Sequence, residues 1–107
     1  MTDAVVVLTT LASEEEAVPL VRALLERRLV ACGTILPAAR SLYRWEGNVA
    51  DEREAVVLLK TERAHLAALE AAFGELHPYK VPELLALPVH HGLARYLDWI
   101  GAETRPA

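Results

Sequence analysis

The sequence predicts an α+β domain whose elements follow the order β-α-β-β-α-β, with one further helix at the C-terminus. Three observations carry that reading. β-branched and aliphatic runs mark strands at Ala4–Leu11, Ala31–Leu36, Glu54–Lys60 and Leu84–Val89. Apolar residues at three- and four-residue steps follow the first and third of these strands. Turn chemistry at Gly47-Asn48 joins the middle two strands as a hairpin.

Ala4–Leu11 (AVVVLTTL) is rich in β-branched residues and reads as a buried strand. Ser13 with Glu14, Glu15 and Glu16 then forms a capping box, in which the hydroxyl takes a free backbone N–H and Glu16 reaches back. The acids suit the positive end of the helix dipole. Val18, Val21, Leu25 and Leu29 give this helix one apolar face running to Leu29. Pro19 removes a hydrogen bond and clashes with the preceding turn, so a bent or late-starting helix is expected.

The second strand, Ala31–Leu36, meets Pro37, which sheets accept at an edge or a bulge. It is therefore expected to bend and resume through Ser41–Trp45. Glu54–Lys60 (EAVVLLK) returns the hairpin, and Thr61 is placed to cap a helix running to about Leu76. His77-Pro78 ends that helix. A fourth strand, Leu84–Val89, precedes a short helix with its stripe at Leu93, Tyr96, Leu97 and Ile100.

Two β-α-β halves in this order give the ferredoxin-like fold: a four-stranded antiparallel sheet with both main helices on one face. The 107 residues make a single domain over 1–107, large enough to bury roughly two-thirds of its unfolded surface. Yet 53% of them are hydrophobic, above the roughly 45–50% usual for a soluble domain. The uncovered sheet face is where that excess fits, buried against another subunit.

Composition also excludes classes. The longest stretches free of charge, Leu29–Ala39 and Leu84–Ala94, fall short of the ~18 residues a membrane span needs. The acidic start, Met1-Thr2-Asp3, lacks the positive region of a secretion signal. Cys32, the single cysteine, has no internal disulfide partner, so a cytoplasmic protein is expected. A net charge of −4 without a basic stripe argues against nucleic acid. Nucleotide loops, HExxH, CxxC and GxSxG are absent, and no enzyme is expected.

What remains for chemistry is scattered. Cys32 among aliphatics fits a small core hydrophobe, with a soft-metal ligand for copper as the functional alternative. His77 reads equally as a helix C-cap and as a metal or proton-transfer residue. His90-His91 fits a solvated loop pair better than a chelating one, and His65 faces solvent. Tyr43 and Trp45 share one strand face as packing or interface anchors. Lys60 and Glu83, at what read as neighbouring strand ends, suit an ion pair or an anion contact.

Five collinear segments resemble the divalent-cation tolerance (CutA) family. They are Leu29–Pro37, Ser41–Gly47, Glu54 with Leu58–Thr61, His77–Leu84, and Tyr96–Ile100. The resemblance implies a compact homotrimer with architecture like the PII signalling proteins, and a link to tolerance of copper and other divalent metals. It implies intersubunit clefts lined by Tyr43, Trp45, Lys60, His77, Tyr79, Glu83 and Trp99. Thr9 stands where some relatives carry a cysteine, and Leu76 where they carry a histidine. Metal contact is thereby narrowed to His77 and Cys32; no cofactor is required, and a divalent cation such as copper is the candidate ion. The PII-like architecture also implies a rival reading, a regulatory module binding a small anion in those clefts.

Overall fold

The computed structural model describes residues 2–106. Strand β1 (Ala4–Leu11), helix α1 (Glu14–Glu26), strands β2 (Cys32–Trp45) and β3 (Asn48–Glu62), helix α2 (Leu66–Leu76), strand β4 (Leu85–Pro88) and helix α3 (Ala94–Glu103) follow in chain order. The sheet order is β2-β3-β1-β4, and all three neighbouring pairs are antiparallel. This is the predicted α+β arrangement, with the central strands the two richest in β-branched residues.

Side chains alternate across the sheet, so each strand divides into two rows. Val5, Val7, Leu11, Ala55, Val57 and Leu59 form the row beneath the helices, where Ala17, Leu20, Val21 and Leu24 of α1 and Leu69, Ala72 and Phe73 of α2 complete the core. Gly33 lets α1 lie close on β2, since a Cβ there would meet Val21 Cγ1 at 2.6 Å. The opposite row runs through Val6, Leu8, Val56 and Leu58, all half-buried, and out to Leu36, Leu85 and Leu87, all exposed. Helix α3 covers only one end of that row. Ile100 packs with Ala4 and Ala31, and Gly101 lies close over the Glu62 carboxylate.

Several local expectations change. Helix α1 starts on time despite Pro19: the Ser13 hydroxyl accepts from the Glu16 N–H at 3.2 Å, which fixes the first turn. It stops at Glu26 rather than Leu29, because Arg28 takes a left-handed φ of 56°. Strand β2 passes Pro37 through a bulge between Leu36 and Ala39, with Ala38 at φ 57°. The tight turn is Glu46-Gly47 rather than Gly47-Asn48, with φ of 49° and 81°, the left-handed pair a two-residue hairpin requires.

Strand β3 is twice the expected length, since its polar first half pairs with the far end of β2. Thr61 does not cap a helix. It lies inside β3, fully buried, and its hydroxyl donates to the Leu29 carbonyl at 2.6 Å. A 3-10 turn at Arg63–His65 leads into α2 instead, and His65 is half-buried. The long β2–β3 hairpin stretches the molecule to 44 × 26 × 22 Å. No helix among the described residues is long and apolar enough to cross a membrane.

Candidate functional site

The end of the open sheet face remote from α3 holds a cleft of about 920 Å³. The hairpin forms one wall, with Tyr43 and Trp45 from β2 and Glu52 and Glu54 from β3. The segment from Pro78 to Glu83, which carries the chain from α2 to β4, forms the other. Thr10 and Ala12, at the end of β1, make the floor. The bulge and the strand extension beyond it are what carry the aromatic residues out to this position.

His77 anchors the second wall from behind. It is 7% exposed, and its Nδ1 accepts the Tyr79 N–H at 3.1 Å. Its Nε2 therefore carries the proton and lies 3.1 Å from both the Thr10 carbonyl and the Thr9 hydroxyl. Burial pushes the His77 pKa down, partly opposed by the Thr10 hydrogen bond and the Glu16 charge. The ring is thus neutral, with both nitrogens engaged, and it packs between Phe73 and Tyr79 at centroid distances of 5.3 and 5.0 Å. A metal ion would have to displace one of these hydrogen bonds.

Tyr79 passes the connection into the cleft, where its hydroxyl donates to Glu54 Oε2 at 2.6 Å. Burial, and then this bond to a carboxylate, push the Tyr79 phenol well above its usual value. Desolvation and the carboxylates of Glu52 and Glu54 push Tyr43 up as well. The sequence reading did not single out Glu54 as a site residue. The available signal was an acid directly preceding the apolar run Ala55–Leu59 in a strand.

The structure brings Tyr43, Trp45, Tyr79 and Glu83 to one cleft, with His77 behind it. Lys60 and Glu83 are not neighbours. Both β3 and β4 run antiparallel to β1, so the end of one strand and the start of the other lie at opposite ends of the sheet. Lys60 pairs across from Cys32, and its ammonium reaches Cys32 Sγ at 3.5 Å and the Thr34 hydroxyl at 3.4 Å. Cys32 is accordingly half-exposed on the open face rather than in the core. Trp99 lies on α3 beside Tyr96, at a centroid distance of 5.5 Å. His90 and His91 are exposed in the loop before α3. Among the described residues, no group of three His, Cys, Asp or Glu is placed to hold a metal ion.

A ferredoxin-like sheet with an elongated hairpin, one bare apolar face and a cleft at its end defines a class of small α+β proteins. Residues 5–103 match the family model described as CutA1 divalent ion tolerance protein. The divalent-cation tolerance protein CutA of Pectobacterium atrosepticum is 47% identical over 103 residues, covering 96% of this chain and 94% of the relative. The crystal structure of CutA from Xylella fastidiosa superposes with a TM-score of 0.93 at 38% identity, over 97% of this chain and 100% of that one. A third, from Archaeoglobus fulgidus, is described as the periplasmic divalent cation tolerance protein CutA. It matches with a TM-score of 0.91 at 31% identity, over 95% of this chain and 99% of that one. The chain belongs to the CutA1 divalent ion tolerance family.

Proposed function

We propose that this chain acts as a cytoplasmic homotrimer in divalent-cation tolerance, with copper the candidate ion and with no catalytic turnover. The observation that carries the assembly is the open row of the sheet, where Leu36, Leu85 and Leu87 are about half exposed beside a half-buried centre of Val6, Leu8, Val56 and Leu58. A contiguous apolar face of this kind marks a protein interface. Strands β2 and β4, the two sheet edges, offer backbone groups for pairing with sister subunits.

Metal contact in this reading is weak. Cys32 has Lys60 beside it, and His77 has no free nitrogen. Thiolate still favours copper over harder ions. Lys60, whose side-chain partners are the Cys32 sulfur and the Thr34 hydroxyl rather than a carboxylate, supports a second reading in which a small anion binds at a subunit boundary.

Sedimentation should give a mass three times that of the 11.8 kDa chain. Calorimetric titration with Cu(I) and Cu(II) should show heat that Cys32→Ser reduces. A monomer at micromolar concentration would remove the assembly, and titrations without copper-dependent heat would remove direct metal handling. Under the second reading, an anion-dependent thermal shift would appear in the wild type and be lost in Lys60→Ala.

A further inference from the structure

The outer half of the β2–β3 hairpin stands clear of the core. Every residue from 40 to 53 is exposed or half-buried, and Glu54 is the first buried residue of β3. The ladder is interrupted at that same level. Strand β2 is bulged between Leu36 and Ala39, and Ala39 is the residue that faces Glu54. A bulge bends its strand and leaves a residue unpaired, so the ladder alone does not set the hairpin's direction. Most of its side-chain bonds do not set it either. Arg40 binds Asp51, Arg53 donates to the Ala38 carbonyl and Asn48 to the Glu46 carbonyl, all inside the hairpin. Among the described residues, one side-chain hydrogen bond joins residues 38–54 to another element: the Tyr79 hydroxyl donates to Glu54 Oε2 at 2.6 Å.

The other end of that bond is itself held. The Tyr79 N–H donates to His77 Nδ1 at 3.1 Å, and His77 Nε2 lies 3.1 Å from both the Thr9 hydroxyl and the Thr10 carbonyl. Both threonines belong to β1, a central strand of the sheet. A chain of hydrogen bonds therefore runs from the middle of the sheet, through the α2–β4 connection, to the root of the hairpin. Thr9, His77 and Glu54 are all buried. Bonds withdrawn from water hold their geometry better than exposed ones, and a carboxylate acceptor strengthens the last of them.

The exposed residues show what the direction serves. Leu42 and Val49 on one face of the hairpin, and Tyr43 and Trp45 on the other, are exposed apolar side chains. Strand β2 is also an edge of the sheet from Cys32 to Trp45, so the hairpin prolongs that free edge. We propose that the His77–Tyr79–Glu54 chain is a brace that aims the hairpin, with Tyr79 as the positioning residue. Its purpose, presenting this edge to a second copy of the chain, rests on the assembly proposed above; its existence does not. With the brace closed, the hairpin keeps one direction. With it broken, the hairpin swings about the bulge and only a fraction of chains present an edge that a neighbour can meet. The apparent affinity between copies falls by that fraction.

The test reads the hairpin's orientation from residual dipolar couplings of backbone amides, in the protein as it assembles in solution. In the wild type, residues 40–53 and the body of the sheet should fit one alignment. Tyr79→Phe, which keeps the ring against His77, should shrink the couplings of 40–53 and leave those of β1 and the helices unchanged. Sedimentation on dilution should show its copies separating about tenfold more readily. Glu54→Gln keeps an acceptor for the hydroxyl and should fall between the two. The double variant Tyr79→Phe with Glu54→Leu separates aim from stability. It leaves no carboxylate unpaired, so its urea midpoint should return toward the wild-type value while its hairpin stays loose. Full couplings in Tyr79→Phe would overturn the brace, as would their recovery in the double variant. So would hairpin couplings already reduced in the wild type. Reduced couplings with unchanged dissociation would overturn its link to assembly. A wild type that sediments as a monomer would remove the assembly, and the couplings would still decide the brace.

Discussion

The two faces of this sheet are built from the same kinds of residue and have opposite fates. Beneath α1 and α2, Val7, Val57 and Leu59 are completely buried. One residue along the same strands, Val6, Val56 and Leu58 are only half-buried, and Leu85 and Leu87 of β4 are about half exposed. A strand of a free monomer would carry polar residues on its bare face. The aliphatic runs of β1 and of the second half of β3 instead put apolar residues on both faces, the composition of strands covered on both sides. The difference separates what folds the chain from what the folded chain still has to cover.

The sharpest way to break this comparison is to substitute one leucine from each face. Leu59→Ala removes fully buried methyl groups beneath the helices and should lower unfolding free energy by about 2–5 kcal/mol, measured by urea titration. The assembly should keep its mass. Leu87→Asp should do the reverse, reducing the sedimenting mass while the released chain keeps its circular dichroism spectrum. An unchanged mass would make the open row ordinary surface and the comparison meaningless.

Much of this contrast was legible in the sequence, because a two-residue period and a three-to-four-residue period are local signals. Strand order followed from them, and Ser13 caps α1 as its position suggested. The polar half of β3, Asp51-Glu52-Arg53, was not legible, since its only partner is the far end of β2 and it has no apolar row of its own. Thr61 misled because a hydroxyl before a helix reads as a cap, whereas here it ties β3 to the Leu29 carbonyl. The separation of Lys60 from Glu83 was available and missed: in the predicted order, β3 and β4 run parallel to each other. The cleft itself needs the bulge at Pro37 to aim Tyr43 and Trp45, and single-strand periodicity carries no such direction.

Polar groups beneath the helices should behave differently from those on the hairpin, and pH separates them. His77 is buried against Thr9, Thr10, Phe73 and Tyr79, with Glu16 the nearest influential charge, and its pKa is pushed below the usual 6.5. The unfolded chain therefore binds a proton more readily than the folded one. Stability from this residue is fully present above pH ~6.5 and declines as the pH falls toward the folded pKa. Urea unfolding of the wild type should show that decline, and His77→Gln should flatten it. Parallel curves for the two proteins would place the titration elsewhere.

The smallest effect is expected farthest from the core, at Asp51 on the hairpin. Its carboxylate takes two hydrogen bonds from Arg40, and that contact pulls its pKa below the usual carboxylate value. The sign is the same as for His77, in a more acidic window: the folded chain releases its proton more readily than the unfolded one. Any stabilisation is present above the unfolded pKa and lost as the pH falls through the folded one. Both side chains are nonetheless largely exposed, at 66% and 45%, where water and salt screen the attraction. Asp51→Asn should therefore leave the urea midpoint at neutral pH almost unchanged, and any shift should fade with added salt. A large, salt-insensitive loss would mean that the hairpin is buried in the assembly, and the boundary between folding face and covering face would have to be redrawn to include it.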